Sequence, residues 1–356
     1  MAFDLNSLLR PHIASLKPYT SARDEYTGKE GIFLDANENP LGSATDEDFN
    51  RYPDPYQWEI KKRLSKIKNV RPEQIFLGNG SDEAIDLLFR AFCNPGKDNV
   101  ILLPPTYGMY EVSASINDVA TKKVSLTEDF QLDPEKVLQQ VDEHTKIIFI
   151  CSPNNPSGNK IDRDSIYQIL DQFNALVVID EAYIDFNDEP SFTQDLDIYP
   201  NLLVMQTLSK AWGLASLRLG MAFASEELIR ILNRIKPPYN ISGLTQEFVL
   251  KALQNEKKVK SMIQTILQEK ERLENELEKL DFVQKVYPSH ANFFLVKVPQ
   301  ATEFYNQLIN HKIIVRNRSK VQLCEDCLRI TIGTKDENEA LIEAMNKVSK
   351  EIAVQK

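Results

Sequence analysis

Lys210 stands in Thr207-Leu208-Ser209-Lys210-Ala211-Trp212-Gly213, with Arg218 eight residues further on. Thirty residues before the lysine, Asp180 closes the apolar run Leu176-Val177-Val178-Ile179 and opens Asp180-Glu181-Ala182-Tyr183. Asn155 comes twenty-five residues earlier still, within Ser152-Pro153-Asn154-Asn155-Pro156-Ser157-Gly158. An amine, a carboxylate at the end of a buried strand, an amide, a phenol and a Ser/Arg clamp for phosphate are the groups that pyridoxal 5′-phosphate requires. The amine forms a Schiff base with the aldehyde. The carboxylate keeps the pyridine nitrogen protonated, so that the ring works as an electron sink. None of these residues alone singles out that chemistry; their combination and order do.

Other segments fit the same ligand. Gly78-Asn79-Gly80-Ser81-Asp82-Glu83 follows a strand and opens a helix. It imitates a dinucleotide fingerprint, but Glu83 replaces the third glycine, so Rossmann-type helix–strand packing is not specified. What remains is a tight turn into a helix N-terminus, whose N–H groups and dipole suit one phosphate; Ser81 and Asp82 are assigned to it, against the plainer reading of a capped turn. In Pro104-Pro105-Thr106-Tyr107-Gly108-Met109-Tyr110, Tyr107 is placed to stack on a pyridine ring, or else belongs to the core. Asp180-Glu181 after an apolar run also imitates the acidic element of an ATPase, but no Gly-x-x-x-x-Gly-Lys-Ser/Thr loop precedes it. Arg329 lies in the alternating segment Leu328-Arg329-Ile330-Thr331-Ile332, where an arginine can present its fork to a carboxylate or phosphate.

These residues need a frame. Gln74 to Leu77 reads as a strand and Ser81 to Cys93 as a helix; Val100 to Leu103, Lys146 to Ile150, Ala175 to Ile179, Leu202 to Met205 and Leu219 to Phe223 follow as short apolar runs separated by amphipathic stretches. The pattern predicts an α/β fold with a mostly parallel sheet covered by helices on both faces. From about Gly243 to Leu280 the chain turns polar and helix-favouring, and reads as a long helix bridging two domains. A coiled coil is disfavoured, because Glu269 and Glu276 fall where a heptad begun at Val259 needs apolar residues. Asn292 to Val296, Ile313 to Val315 and Leu328 to Ile332 read as strands of a smaller α+β unit, closed by a helix from about Asn338 to Ile352. The expected organisation is an N-terminal arm with part of the small domain over residues 1–44, a large cofactor-binding domain over 45–245 and a small C-terminal domain over 246–356.

The chain of 356 residues has 42% hydrophobic and 26% charged residues, values of an ordinary globular protein. A net charge of −10 argues against a nucleic-acid surface. No apolar run approaches the roughly 20 residues that span a bilayer, and Met1-Ala2-Phe3-Asp4-Leu5-Asn6 lacks a signal-peptide layout, so a cytoplasmic location is expected. Cys324-Glu325-Asp326-Cys327 has no second ligand pair for zinc; it reads as two reduced thiols in a surface loop, and no metal is expected.

With these residues in hand, the chain resembles the fold-type I pyridoxal-phosphate aminotransferases and, more narrowly, the histidinol-phosphate aminotransferases. The likeness runs from about Leu16 to Thr334. Beyond the cofactor motifs it rests on Pro18-Tyr19-Thr20-Ser21-Ala22-Arg23, Leu34-Asp35-Ala36-Asn37-Glu38-Asn39-Pro40, Arg51-Tyr52-Pro53-Asp54-Pro55 and Val315-Arg316, followed by Leu328 to Thr334. The resemblance implies that Lys210 carries the cofactor and shuttles a proton, that Asp180 pairs with the pyridinium nitrogen, and that Asn155 and Tyr183 hydrogen-bond the ring oxygen. It implies that Tyr107 stacks on the ring and that Ser81, Asp82, Thr207, Ser209 and Arg218 hold the phosphate. Tyr52 would reach the phosphate of a neighbouring subunit in a homodimer. Tyr19, Arg316 and Arg329 would surround the substrate's anionic group, and Asn37 would line the pocket. The implied reaction exchanges an amino group between L-histidinol phosphate and 2-oxoglutarate, giving imidazole acetol phosphate and L-glutamate. An aromatic or broad-specificity aminotransferase, a threonine-phosphate decarboxylase and a non-catalytic binding protein are the competing readings. Ser216, where relatives usually have glycine, is expected to matter little.

Overall fold

The computed structural model describes residues 3–19 and 30–354. Thr20 to Arg23 of the N-terminal motif therefore lie outside the described residues. Seven strands form the main sheet: β1 (Ile75–Asn79), β2 (Asn99–Leu102), β3 (Ala120–Lys123), β4 (Thr145–Cys151), β5 (Leu176–Asp180), β6 (Leu202–Thr207) and β7 (Leu219–Ala224). Their spatial order is β1-β7-β6-β5-β4-β2-β3. The β3-β2-β4-β5-β6 block is parallel, and β7 runs antiparallel to both β6 and β1. The mostly parallel sheet expected from the apolar runs is present.

Alternation along each strand divides the core in two. Ile148, Ile150, Val177, Ile179 and Val204 face one side, packed with Leu170 and Ile166 of the helix Arg163–Gln172. Ile147, Phe149, Val178, Leu203 and Met205 face the other, against Leu88, Phe92 and Leu232 of the helices Ser81–Phe92 and Glu226–Ile235. A strand buried on both faces must be apolar at every position, which is why these segments read as continuous runs. β3 gave no such signal: Ala-Thr-Lys-Lys is an edge strand, where lysines guard the open ladder.

Four strands form a second antiparallel sheet: β8 (Lys285–Val286), β9 (Phe293–Lys297), β10 (Arg316–Asn317) and β11 (Cys327–Thr331), in the order β10-β11-β9-β8. It packs with the helices Ala301–Asn310 and Lys335–Val354 around Phe294, Phe304, Leu308, Leu328 and Met345.

Three expectations need correction. The stretch from Gly243 forms two helices, Gly243–Ala252 and Glu256–Glu278, rather than one. The break at 253–255 lets Val249 and Leu253 stay in the large-sheet core, while the second helix runs from Val259 in that core to Leu273 and Leu277 in the small one. The expected strand Ile313 to Val315 is not formed; pairing starts at Arg316, because the Ile313 N–H donates to the Leu308 carbonyl (2.9 Å) to finish the preceding helix. Cys324 and Cys327 are not surface thiols but fully buried, 0% exposed, Cys324 in the turn between β10 and β11 and Cys327 at the start of β11.

Candidate active site

The parallel strands deliver their functional residues to one edge of the main sheet, their C-terminal ends, where doubly wound folds bind ligands. β5 ends on Asp180, β4 leads into Asn155, β6 ends on Thr207 and leads into Ser209 and Lys210, and β2 leads into Tyr107. β7 is antiparallel, so the residue before it, Arg218, reaches the same edge. There the chain encloses a cavity of about 600 Å³ lined by Ser81, Asp82, Tyr107, Asn155, Asp180, Tyr183, Thr207, Ser209, Lys210 and Arg218, with Arg316 and Arg329 from the small sheet. Twelve of the residues singled out in the sequence meet in this one space.

The end holding Ser81 is built by close backbone approach. A Cβ on Gly220 would stand 2.3 Å from both the Gly80 carbonyl carbon and the Ser81 nitrogen, so only glycine lets β7 lie against this turn. Gly80 has φ +76°, and a Cβ there would meet Arg218 Nη2 at 2.6 Å. The Gly80 N–H donates to the Arg218 carbonyl at 2.7 Å. The Ser209 N–H donates to Thr207 Oγ1 (3.1 Å), and Arg218 Nη2 lies 3.7 Å from Asp82 Oδ2. Glu83, where a third glycine was absent, has its own role: its carboxylate accepts the Asn79 N–H (2.5 Å) and an amide hydrogen of Asn240 (3.1 Å).

Asp180 is buried in the floor. Tyr110 donates its hydroxyl to Oδ2 at 2.6 Å, and the Ala182 N–H donates to Oδ1 at 3.0 Å. Burial raises the Asp180 pKa, and these two donors pull it back. Tyr110 is itself fully buried and stacks on Phe149, centroids 4.8 Å apart. Sequence reasoning passed it over. Its only trace is the three-residue step from Tyr107, whose hydroxyl donates to Asp82 Oδ1 at 3.1 Å.

Lys210 is accessible from the cavity, its Nζ 5.6 Å from the Tyr183 ring centroid. Desolvation by the surrounding walls is the largest influence on its amine and lowers the pKa; Arg329 and Arg218 lower it further, while Asp180 and Asp82 oppose them. A lysine held this way is a better nucleophile at neutral pH than one in water. Tyr183 packs edge-on against Phe293 at 5.1 Å, and burial raises its phenol pKa. Arg329 donates through Nη1 to Asn155 Oδ1 at 2.5 Å.

Arg318 also lines the cavity and was not singled out in the sequence. The alternation Arg316-Asn317-Arg318, which puts both arginines on one side of an extended segment, was the available sign. Three expected residues lie outside the cavity lining. Tyr52 is 51% exposed and stacks on Tyr239 at 4.4 Å. Tyr19 is 75% exposed and borders a separate hollow with Trp58 and Lys61. Asn37 has φ +55° in a loop tied to the Tyr52 turn, where Glu38 binds Arg51 Nη1 (2.6 Å) and accepts the Tyr52 N–H (2.7 Å). The Asn37 and Tyr52 motifs are thus one unit. No group of three His, Cys, Asp or Glu among the described residues is arranged to hold a metal.

The residues present fit pyridoxal phosphate: a glycine-floored turn and Arg218 for its phosphate, a buried carboxylate for its ring nitrogen, and an amine with lowered pKa for its aldehyde. The comparisons agree. The model of the family "Aminotransferase class I and II" matches residues 26–345. Histidinol-phosphate aminotransferase of Cytophaga hutchinsonii is 56% identical over 97% of this chain and 99% of its own length. That of Parabacteroides distasonis is 57% identical, again over 97% and 99%. Among solved structures, histidinol-phosphate aminotransferase from Sinorhizobium meliloti in complex with pyridoxal-5′-phosphate superposes with a TM-score of 0.77 at 22% identity, over 96% of this chain and 97% of that one. The Clostridium acetobutylicum enzyme gives 0.78 at 23% identity, over 85% and 92%. This chain belongs to the class I and II aminotransferases and, within them, to the histidinol-phosphate aminotransferase family.

Proposed function

We propose that this chain transfers the amino group between L-histidinol phosphate and 2-oxoglutarate, by a pyridoxal-phosphate-dependent ping-pong reaction in L-histidine biosynthesis. The observation that carries the reading is one cavity joining Lys210, Asp180 and the glycine-floored phosphate end to the arginines of the small sheet. Such a cavity can hold a cofactor and, beyond it, an amine with an anionic far end. An arginine fork pairs two oxygens of either a phosphate or a carboxylate, so one arginine group serves both substrates.

Bound pyridoxal phosphate supplies the electron-withdrawing ring that stores the amino group between half-reactions. Lys210 would hold the cofactor through its amine and would move the proton at the substrate carbon. Asp180 would keep the ring nitrogen charged, Asn155 and Tyr183 would hydrogen-bond the ring oxygen, and Tyr107 would stack on the ring. The N–H groups of Ser81 and Asp82, with Thr207, Ser209 and Arg218, bind the cofactor phosphate. Arg316, Arg329 and Tyr19 would receive the substrate's anionic group and Asn37 would join its pocket, although neither Tyr19 nor Asn37 lines the cavity in this structure. Tyr19 stands outside the cavity and borders a separate hollow with Trp58 and Lys61.

The same reading includes a homodimer in which Tyr52 completes the second copy's site. Two features support it: Tyr52 is half-exposed away from its own cavity, and Ile32, Leu34 and Leu41 present 92%, 85% and 94% of their surface on the same N-terminal segment. The division into residues 1–44, 45–245 and 246–356 belongs to it too, supported by two sheets lying in 75–224 and 285–331. A cytoplasmic location belongs to the same proposal. Among the described residues no helix is long and apolar enough to cross a membrane.

The test is to mix purified, cofactor-loaded protein with L-histidinol phosphate, without keto acid, and follow the visible spectrum. Conversion to the amine form of the cofactor, at far lower concentration than phenylalanine requires, is the expected result. An unchanged spectrum with response to phenylalanine instead would move the function to general transamination, and release of carbon dioxide from a phosphorylated amino acid would move it to decarboxylation. Mixed dimers of Tyr52→Phe and Lys210→Ala chains should regain activity that Lys210→Ala alone lacks; no regain would remove the shared site.

A further inference from the structure

Arg316, Arg318 and Arg329 all line the same end of the cavity. Arg316 and Arg329 are direct cross-strand partners in the β10/β11 pair. Like charges facing each other in an antiparallel pair destabilise it. Arg318 follows at the next position on the same side, held by its N–H to the Cys327 carbonyl (2.9 Å) and by its carbonyl to the Val321 N–H (2.8 Å). Its Nε is buried with no hydrogen-bond partner among the described residues. The strongest influences on it are burial, Arg329 and Arg316, all opposing its charge. Among the described residues no carboxylate is ion-paired with any of the three arginines.

Three like charges gathered without a counter-ion mean that the site is completed by an anion. A carboxylate brings one negative charge and two oxygens, which one fork satisfies. A phosphate monoester brings roughly −1.5 to −2 near neutral pH and three oxygens. Two arginines suffice for the first; the third has work only with the second.

We propose that Arg318 is the specificity-determining residue of this site: with Arg316 and Arg329 it forms a three-arginine clamp that selects a dianionic phosphate monoester over a carboxylate. This rests on the substrate reading above. It assigns to Arg318 the discrimination between the two substrates that share the cavity, while Arg329, which reaches Asn155, serves both.

The experiment is calorimetric binding to the cofactor-loaded enzyme of two unreactive probes, 3-(imidazol-4-yl)propyl phosphate and glutarate, for the wild type, Arg318→Gln and Arg318→Lys. Loss of one charge-assisted contact predicts that Arg318→Gln weakens the phosphate probe about 10- to 100-fold and glutarate no more than about 3-fold. Arg318→Lys, which keeps the charge and loses the fork, falls between. Wild-type affinity for the phosphate probe should rise as pH passes the second phosphate ionisation near about 6, and this rise should flatten in Arg318→Gln. Equal losses for both probes, or no loss, overturn the role of Arg318 while the substrate reading stands. A wild-type protein that does not bind the phosphate probe overturns both. Half-reaction rates with L-histidinol phosphate and L-glutamate should show the same split.

Discussion

Arg329 and Asn155 lie 174 residues apart, yet the Arg329 guanidinium donates to the Asn155 side-chain oxygen at 2.5 Å. One belongs to the small sheet and the other to the loop after β4 of the large one. The bond commits the amide oxygen of Asn155 to the arginine and leaves the amide nitrogen for the proposed contact with a cofactor oxygen. In that reading the substrate end and the cofactor end are joined through a single side chain. In a double-mutant cycle on kcat/KM with Asn155→Ala and Arg329→Leu, the two losses should be non-additive by about 1–3 kcal/mol. Simple additivity would mean that the contact carries no coupling.

Tyr110 acts on Asp180 from below. Its hydroxyl hydrogen bond favours the ionised carboxylate, which burial opposes. In Tyr110→Phe the Asp180 pKa rises further, so less carboxylate is ionised at a given pH. The acid limb of the pH–rate profile should move up by about 1–2 units, the worth of one hydrogen bond to a charged group. The pH titration of the cofactor's visible band should move with it. A profile that keeps its position, with only a lower maximum, would make Tyr110 a packing residue alone.

Gly220 is the residue on which the Gly80-Ser81 turn rests. Gly220→Ala forces a methyl group into backbone atoms 2.3 Å away, and no flexible side chain is there to give. The turn must shift, with a loss of about 1–3 kcal/mol in stability. Equilibrium dialysis of pyridoxal phosphate should show at least tenfold weaker binding. Wild-type affinity in this variant would contradict a phosphate site at Gly80-Ser81.

Lys61 offers a test of a buried charge away from the chemistry. It is 2% exposed, and burial, helped by Lys236, brings its pKa down from 10.5 to about 8. Between those values the folded state binds fewer protons than the unfolded one, so stability rises with pH across that window and the full cost is present at pH 7. Lys61→Met should therefore stabilise the protein by about 3 kcal/mol at pH 7 in denaturant unfolding. The gain should shrink toward zero as the pH approaches 10.5. A gain that does not change with pH would trace to packing rather than to the charge.

Much of the site was legible because covalent and acid–base chemistry demands particular side chains, and the strand ends that carry them are flagged by apolar runs. Asp180 after Leu176 to Ile179 and Lys210 after Leu202 to Met205 needed no distance information. Twelve of the fifteen expected residues line one cavity. The sequence also specified a mostly parallel sheet, since strands buried on two faces can hardly be written otherwise.

What only the tertiary structure decided depends on long-range contact. Tyr110 is a tyrosine among twelve until packing brings its hydroxyl to Asp180. Gly220 looks like any strand glycine until β7 lies against the turn at Gly80. The break at 253–255 arises because one polar, helix-favouring stretch serves two cores. Cys324 and Cys327 looked like loop thiols because local polarity hid a turn folded against the core. Residue type and local period set which chemistry this chain can perform and where its strands end; the positions of Arg318, Arg329 and Asn155 relative to one another came from packing the small sheet against the large one, a contact that no local pattern encodes.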